Sequence, residues 1–358
     1  MAIYTRQSYL LMTTDPVHIG TGGYRLGGVD NSIVREPGTR IPKIPGTSLH
    51  GAARSYAAQL YETPEAAGQN QDRVEHPGQN PVCYTFGYIN ESQMYSGVVN
   101  IFDAHILLFP VYSMTGPVWV STKERLEGAG FTVNGFPESW DTETVYLTWE
   151  RKDPLNLGWL MLSVAGRCEI EAPERWRENQ WDAIKDHIVL VQDSLFSHIV
   201  NSNLEVRTSV AIDPKTGAAE EGALFTYEAI PRSTFLTLDV VLDDYRDGNP
   251  RKTMVFPSQY NMEERLNRIE EELSTTNEEK RISLTKEKAA IEKELRHVEK
   301  LKNEKVKKWN NPLDVVKAGL KMIEWLGVGG MGTRGFGRIA IAGKPVEKEY
   351  GKEDNNGK

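Results

Sequence analysis

Gly327-Val328-Gly329-Gly330-Met331-Gly332-Thr333-Arg334-Gly335-Phe336-Gly337-Arg338 is the stretch on which the fold of this 358-residue chain turns. Six of its twelve residues are glycine, and it lies between a helical pattern and a strand pattern. Upstream, Asn311-Pro312 opens a helix whose first turn suits proline. Leu313, Val316, Leu320, Ile323 and Leu326 mark its buried face. Downstream, Ile339-Ala340-Ile341 predicts a strand. A dinucleotide fingerprint needs the opposite order, strand then loop then helix, and a phosphate loop ends in Gly-Lys-Ser/Thr. The segment satisfies neither requirement, so nucleotide-cofactor binding is disfavoured. Two readings remain: a tight structural connection, or a bare backbone that a ligand can approach closely. Arg334 and Arg338 suit a phosphate backbone in the second case.

A second glycine-rich segment lies near the N-terminus. Tyr4 to Thr13 is rich in β-formers and predicts a strand. His18-Ile19-Gly20-Thr21-Gly22-Gly23 then leads to Gly28-Val29-Asp30-Asn31 and Arg35-Glu36. In such a loop Asp30 is a turn former, a metal ligand or an acid–base group. His18 is a packed histidine or a catalyst. Ile41-Pro42-Lys43-Ile44-Pro45-Gly46 is held extended by its prolines. Thr47 or Ser48 caps a helix over 49–61, with Leu49, Ala52, Ala53, Tyr56 and Leu60 at helical spacing.

With 42 basic and 50 acidic side chains the net charge is −8, which argues against a generic polyanion binder. The distribution is uneven. Residues 1–60 carry a net +3, from Arg6, Arg25, Arg35, Arg40, Lys43 and Arg54 against Asp15, Asp30 and Glu36. Residues 311–345 also carry +3, from Lys317, Lys321, Arg334, Arg338 and Lys344 against Asp314 and Glu324. The two basic islands therefore coincide with the two glycine-rich segments. Cys83 and Cys168 are the only cysteines, which excludes a disulfide scaffold and a four-cysteine zinc site. Cys83 reads as structural. No Ser-His-Asp arrangement can be identified, and no Cys-x-x-Cys metal site is present. No run approaches the ~18 apolar residues of a membrane span, and the N-terminus lacks a charged-then-apolar leader. A cytoplasmic protein with no membrane partner is expected.

The middle of the chain supplies strands over 98–102 and 106–110, an irregular stretch over 122–160, and a helix over 181–200. Residues 62–80 are polar and predict a loop. A hairpin is expected over 205–239, its tip at Asp213-Pro214-Lys215-Thr216-Gly217, a strong turn signal. Its apolar residues suit wedging between bases, or an ordinary hairpin. Residues 260–309 differ in character. Thirteen basic and twelve acidic residues alternate there without Gly or Pro. Met262, Leu266, Ile269 and Leu273 repeat at helical spacing, as do Leu284, Ile291, Leu295 and Val298. Ser274-Thr275-Thr276-Asn277 breaks the run, and Thr276 with Glu279 makes a capping box. A helical hairpin inserted into a continuous domain is predicted, with one long solvated helix as the alternative.

Taken together, these segments resemble the RAMP superfamily of CRISPR proteins. The matching pieces are the His-Ile-Gly-Thr-Gly loop with Val29-Asp30-Asn31 and Arg35-Glu36, Ile44 to Arg54, and the C-terminal glycine loop. Val99-Asn100-Ile101-Phe102-Asp103-Ala104 and Gly222–Glu228 with Ala229-Ile230-Pro231 look like the repeated backbone subunit of type III effector complexes. The Cmr (type III-B) version fits best, although the final glycine loop is closer to the Csm (type III-A) counterpart and the charged insertion is unusual. The resemblance implies an α+β fold: a ferredoxin-like, RRM-related core with a β-hairpin thumb. It implies copies of the chain stacked as a helical filament with other subunits along one guide crRNA. Each thumb kinks the guide and flips a base, and a loop aspartate cuts the complementary target RNA with Mg²⁺ or another divalent cation. Asp30 matches that catalytic and metal-binding position; His18, Tyr227 and Glu228 are further candidates. Val210, Ile212, Leu224 and Phe225 fall in the thumb.

Physical chemistry permits this reading. Lys43, Arg54, Arg334 and Arg338 can meet phosphates. Gly20, Gly22, Gly329, Gly330, Gly332 and Thr333 offer backbone N–H groups indifferent to base identity, and the helix beginning at Ser48 offers its N-terminus. Base pairing then supplies target specificity. Residues 1–259 are expected to form the first part of the core, 260–309 the insertion, 310–345 the end of the core, and 346–358 a disordered tail. The rival readings are a guide-binding scaffold that does not cut and a guide-processing endoribonuclease of the same superfamily.

Overall fold

Tyr9 and Leu11 point into one hydrophobic core and Leu10 into another, the two-residue period of a strand covered on both faces. That strand is β1 (Tyr4–Thr13). The structure, a computed structural model, describes residues 4–22, 29–68, 73–74, 77–90, 93–135, 137, 139–177, 179–245, 257–276, 278–304, 309 and 311–350. From β1 the chain runs through α1 (Gly46–Leu60) to β2 (Ala104–Ser113) and β3 (Gly116–Ser121). Four short strands follow: β4 (Thr144–Leu147), β5 (Leu155–Leu157), β6 (Leu160–Arg167) and β7 (Ile188–Leu190). After α2 (Asp193–Ser202) come the hairpin strands β8 (Glu205–Ile212) and β9 (Ala219–Ala229), then β10 (Phe235–Leu242). Two helices, α3 (Pro257–Thr275) and α4 (Glu278–Glu304), precede α5 (Pro312–Leu326) and β11 (Ile339–Tyr350).

The main sheet is mixed and has the order β5-β6-β4-β7-β3-β2-β10-β1-β11. Its last four strands, β2-β10-β1-β11, are antiparallel throughout. α1 connects β1 to β2 and α5 connects β10 to β11, and the two helices pack together. Gly319 makes that packing possible, since a Cβ there would run into the Ala53 carbonyl oxygen of α1. The opposite face of the sheet is covered by Leu126, Phe131, Trp176, Trp181 and Ile184.

Several expectations change. α1 starts at Gly46 with Pro45 at its cap position and no side-chain cap from Thr47 or Ser48. Instead the Asp103 carboxylate accepts the Gly46 N–H at 2.7 Å. A residue remote in sequence has taken the role of the local cap. The helix expected over 181–200 is broken: Asn179–Asp182 is a short helix, Lys185–His187 a 3₁₀ turn, and the longer helix runs only from Asp193 to Ser202. Ile188-Val189-Leu190 is a strand, buried between β3 and β4. A short β-branched run buried on both faces imitates helical spacing. The hairpin ends at Ala229, because β10 belongs to the main sheet. The stretch 122–160 contains β4, β5, a helix over Lys123–Gly128 and a strand over Thr132–Asn134. Within 62–80, residues Pro64–Ala67 and Pro77–Gln79 form single 3₁₀ turns, and 69–72 and 75–76 lie outside the described residues. β11 pairs with β1 as far as Tyr350, with Tyr4 and Tyr350 stacked at 4.6 Å. Residues 346–350 are thus strand rather than disordered tail, and 351–358 lie outside the described residues.

The charged stretch folds as two paired helices. Ile269 and Leu284 are buried between them, and Arg265–Glu287 and Lys288–Glu270 bridge across at 2.9 and 2.6 Å. The Glu279 half of the expected capping box, and the side chains of Met262 and Val298, lie outside the described residues. α5 opens as read, with the Asn311 side chain accepting the Asp314 N–H. No helix among the described residues is long and apolar enough to cross a membrane.

Candidate functional site

The loop after β1, the base of the β8–β9 hairpin and the glycine loop before β11 meet at one place. Asp30 is exposed there, and its partner is Thr226 on β9. Thr226 donates to Asp30 Oδ2 from its backbone N–H (2.7 Å) and from its hydroxyl (2.9 Å), and accepts the Asp30 N–H at 3.1 Å. The backbones continue the pairing: Asn31 N–H to the Thr226 carbonyl, and Glu228 N–H to the Asn31 carbonyl, both 3.0 Å. These donors, the Thr226 backbone first, hold the Asp30 carboxyl below the usual carboxylate range.

The other sequence candidates on this side have structural partners. The Glu228 carboxylate pairs with Arg35 Nη2 at 2.9 Å and accepts the Ile33 N–H at 3.3 Å. Arg35 continues to Asn201 on α2. His18 is buried, and its Nδ1–H donates to the Glu228 carbonyl oxygen at 2.6 Å, which fixes the ring tautomer. Tyr227 is buried edge-on against Phe336 of the glycine loop, and its hydroxyl accepts from Ser209. Val210, Ile212 and Leu224 are exposed along the hairpin, while Phe225 lies half-buried beneath Arg334, 5.6 Å from the ring centre.

The glycine loop is tied to the His18 loop. The Gly330 N–H donates to the His18 carbonyl at 2.9 Å. Gly329 sits at φ +87°, where a side chain would meet Ile19 and the His18 carbonyl. Gly20, Gly22, Gly329, Gly330, Gly332, Thr333, Arg334 and Arg338 are all exposed, so the two glycine segments predicted from opposite ends of the chain present one surface. A groove of about 380 Å³ joins it to α1, lined by Ser48, Ala52, Tyr56, Gly327, Gly329 and Gly332 among others.

The predicted cations are less free than their number implied. Lys43 Nζ bonds Asp103 at 2.6 Å and Glu36 at 2.8 Å, and these carboxylates, Asp103 first, raise its pKa. Arg54 donates to the Ala66 and Gly87 carbonyls, and burial pulls its pKa down. Arg338 pairs with Asp15. The α1 N-terminus already has an anion, Asp103. Of the four predicted phosphate cations, only Arg334, over the Phe225 ring, has no carboxylate or carbonyl partner for its side chain among the described residues.

The RAMP superfamily matches residues 10–340. The chain belongs to that superfamily. It is 29% identical over 260 residues to the CRISPR system Cmr endoribonuclease Cmr4 of Pyrococcus furiosus, spanning 67% of this chain and 82% of that one. A shorter likeness, 34% over 91 residues, reaches the Cms endoribonuclease Csm3 of Enterococcus italicus, 25% of this chain and 40% of the relative. In fold, the RAMP chain resembles a chain of the type III-B Cmr-beta complex bound to cognate target RNA. The TM-score is 0.50 at 14% identity, covering 67% of this chain and 85% of that one.

Among the described residues no three His, Cys, Asp or Glu side chains gather as a metal site. Mg²⁺ prefers about six oxygens in a near-octahedral shell, and one carboxylate whose Oδ2 already takes two donors does not build that. The described residues therefore do not fit a resident metal centre. They offer one ionised, oriented and exposed carboxylate beside a bare-backbone surface.

Sequence reading missed two residues that hold this arrangement. Thr226 has no signal of its own beyond its place in Thr226-Tyr227-Glu228. Asp103 carries no local signal either, because the helix start it caps lies 57 residues before it in the chain.

Proposed function

We propose that this RAMP chain is a repeated backbone subunit of a type III CRISPR RNA-guided complex, of the type III-B kind, which binds guide crRNA without reading its sequence and cleaves complementary target RNA. The observation that carries the reading is the convergence of three loops on Asp30. The hairpin acts as the thumb, the glycine surface and the α1 groove receive the guide backbone, and the carboxylate lies between them. The likeness to an endoribonuclease over two thirds of the chain supports cleavage. The order β11-β1-β10-β2, with α1 and α5 as its crossovers, supports a ferredoxin-like, RRM-related core.

The exposed apolar residues Val210, Ile212 and Leu224 are suited to unstack a base step and kink the guide. Opposite a flipped base, the target's ribose 2′-hydroxyl can swing in line with its phosphate. The protein's part is then to hold geometry and to keep an ionised carboxylate at that hydroxyl. Phosphate contacts through glycine N–H groups and Arg334 make binding independent of sequence. Mg²⁺ or another divalent cation would come with the RNA, held by its phosphates and by water rather than by this chain.

Incubating the assembled complex with guide RNA and end-labelled complementary target tests the reading. Fragments at regular spacing are expected. An intact, tightly bound target would make the chain a scaffold. Cutting of the guide precursor alone would make it a guide-processing enzyme.

A further inference from the structure

Thr226 and Asp30 are 196 residues apart in sequence, one on the hairpin strand β9 and the other on the loop before α1. The contact between them is reciprocal. Both donors of Thr226, backbone and hydroxyl, converge on Oδ2, and the same hydroxyl oxygen receives the Asp30 N–H. An exposed aspartate ordinarily has several rotamers open to it. Two donors on one oxygen, with a return bond to its own amide, leave this one a single orientation.

We infer that Thr226 is the positioning residue for the Asp30 carboxylate, so that one contact sets both the seating of the hairpin and the aim of the cleaving group. The inference rests on the proposed role of Asp30. It gives the hairpin a second task. β9 stays in place because Tyr227 is buried against Phe336 and Glu228 is paired with Arg35. A hairpin levered off this base would also release the carboxylate. Cleavage would therefore depend on correct engagement of the thumb, although Thr226 need not touch the RNA.

The charged and titratable groups on the surrounding elements are His18 from the entering loop, Arg35 after it, Tyr227 and Glu228 on β9, Arg207 on β8 and Arg334 on the glycine loop. His18, Arg35 and Glu228 are engaged with one another or with backbone, the Tyr227 hydroxyl accepts from Ser209, Arg207 pairs with Glu205 and lies over Phe336, and Arg334 lies over Phe225. A carboxyl held low stays ionised to lower pH. Removing a donor raises it and moves the acid limb of the reaction upward.

The test uses the assembled complex with guide RNA and saturating labelled target, comparing wild type, Thr226→Val, Thr226→Ser and Asp30→Asn in single-turnover cleavage across pH. Thr226→Val keeps the β-branched shape and backbone N–H but loses the hydroxyl. It is expected to cut roughly tenfold to a hundredfold slower, with the acid limb moved to higher pH and target affinity unchanged. Thr226→Ser restores both rate and limb. If Asp30→Asn is inactive while Thr226→Val matches wild type in rate and pH profile, the positioning role is wrong and the proposed function stands. A rate loss in Thr226→Val that tracks lost target affinity, or that serine fails to rescue, also overturns it. If Asp30→Asn cuts normally, the proposed role of Asp30 falls instead, and this inference with it.

Discussion

Replacing Glu228 by alanine removes the partner of Arg35 where water reaches little of either side chain, which are 11% (Arg35) and 15% (Glu228) exposed. The ion pair at 2.9 Å and the Ile33 N–H bond at 3.3 Å both go. Breaking a buried pair from one side costs about 3–5 kcal/mol. The residual exposure places the expected loss at the low end, about 3 kcal/mol. Glu228→Gln keeps an acceptor for both donors and gives up the ionic share, about 1 kcal/mol, the difference between a charge-assisted and a neutral hydrogen bond. Urea unfolding of the chain, followed by tryptophan fluorescence, reads both values, and a double-mutant cycle with Arg35→Gln isolates the coupling. Because the carboxylate is turned into this pair, the assembled Glu228→Gln complex should keep most of its cleavage rate. A Glu228→Gln complex of wild-type stability that no longer cuts would refute this reasoning and give Glu228 a part in the chemistry.

Three further outcomes are expected. Gly319→Ala drives a Cβ into the Ala53 carbonyl and should lower stability by about 2 kcal/mol, whereas Gly51→Ala, with open space around it on α1, should raise it by about 0.8 kcal/mol; urea midpoints show both signs. Deleting α3 and α4 behind a short linker should leave the chain folded and filament assembly intact by size-exclusion chromatography, and loss of assembly would assign the helical pair to an interface. Exhaustive EDTA treatment should leave the urea midpoint unchanged, because the described residues gather no metal site; a midpoint that falls and recovers with Mg²⁺ would contradict this.

Much of the site was legible because it is built from segments with strong local signals. The glycine runs, Asn311-Pro312 and the hairpin turn at Asp213–Gly217 each specify their own backbone. What could not be read was which charges find each other. Lys43, Arg54 and Arg338 look alike in sequence, but the fold gives them Asp103 and Glu36, two carbonyls, and Asp15 respectively. The strand at 188–190 was hidden for a related reason. Its burial between β3 and β4 is a tertiary fact, and a short apolar run carries no period that separates strand from helix. Charge counting misleads in both directions. The overall −8 made RNA seem unsuitable, and the two +3 islands made the surface seem more basic than its ion pairs leave it. A glycine-lined surface with few free cations suits a backbone that binds through N–H groups more than through charge.

The central claim is that the Asp30 carboxylate, and not binding alone, is what this subunit contributes to cutting RNA. The most direct measurement is single-turnover cleavage and equilibrium binding of the same labelled target by complexes assembled with Asp30→Asn. The substitution preserves shape and leaves an acceptor for Thr226 while removing the charge. Target affinity should match wild type, with every regularly spaced fragment absent. Fragments appearing at the wild-type rate would contradict the account.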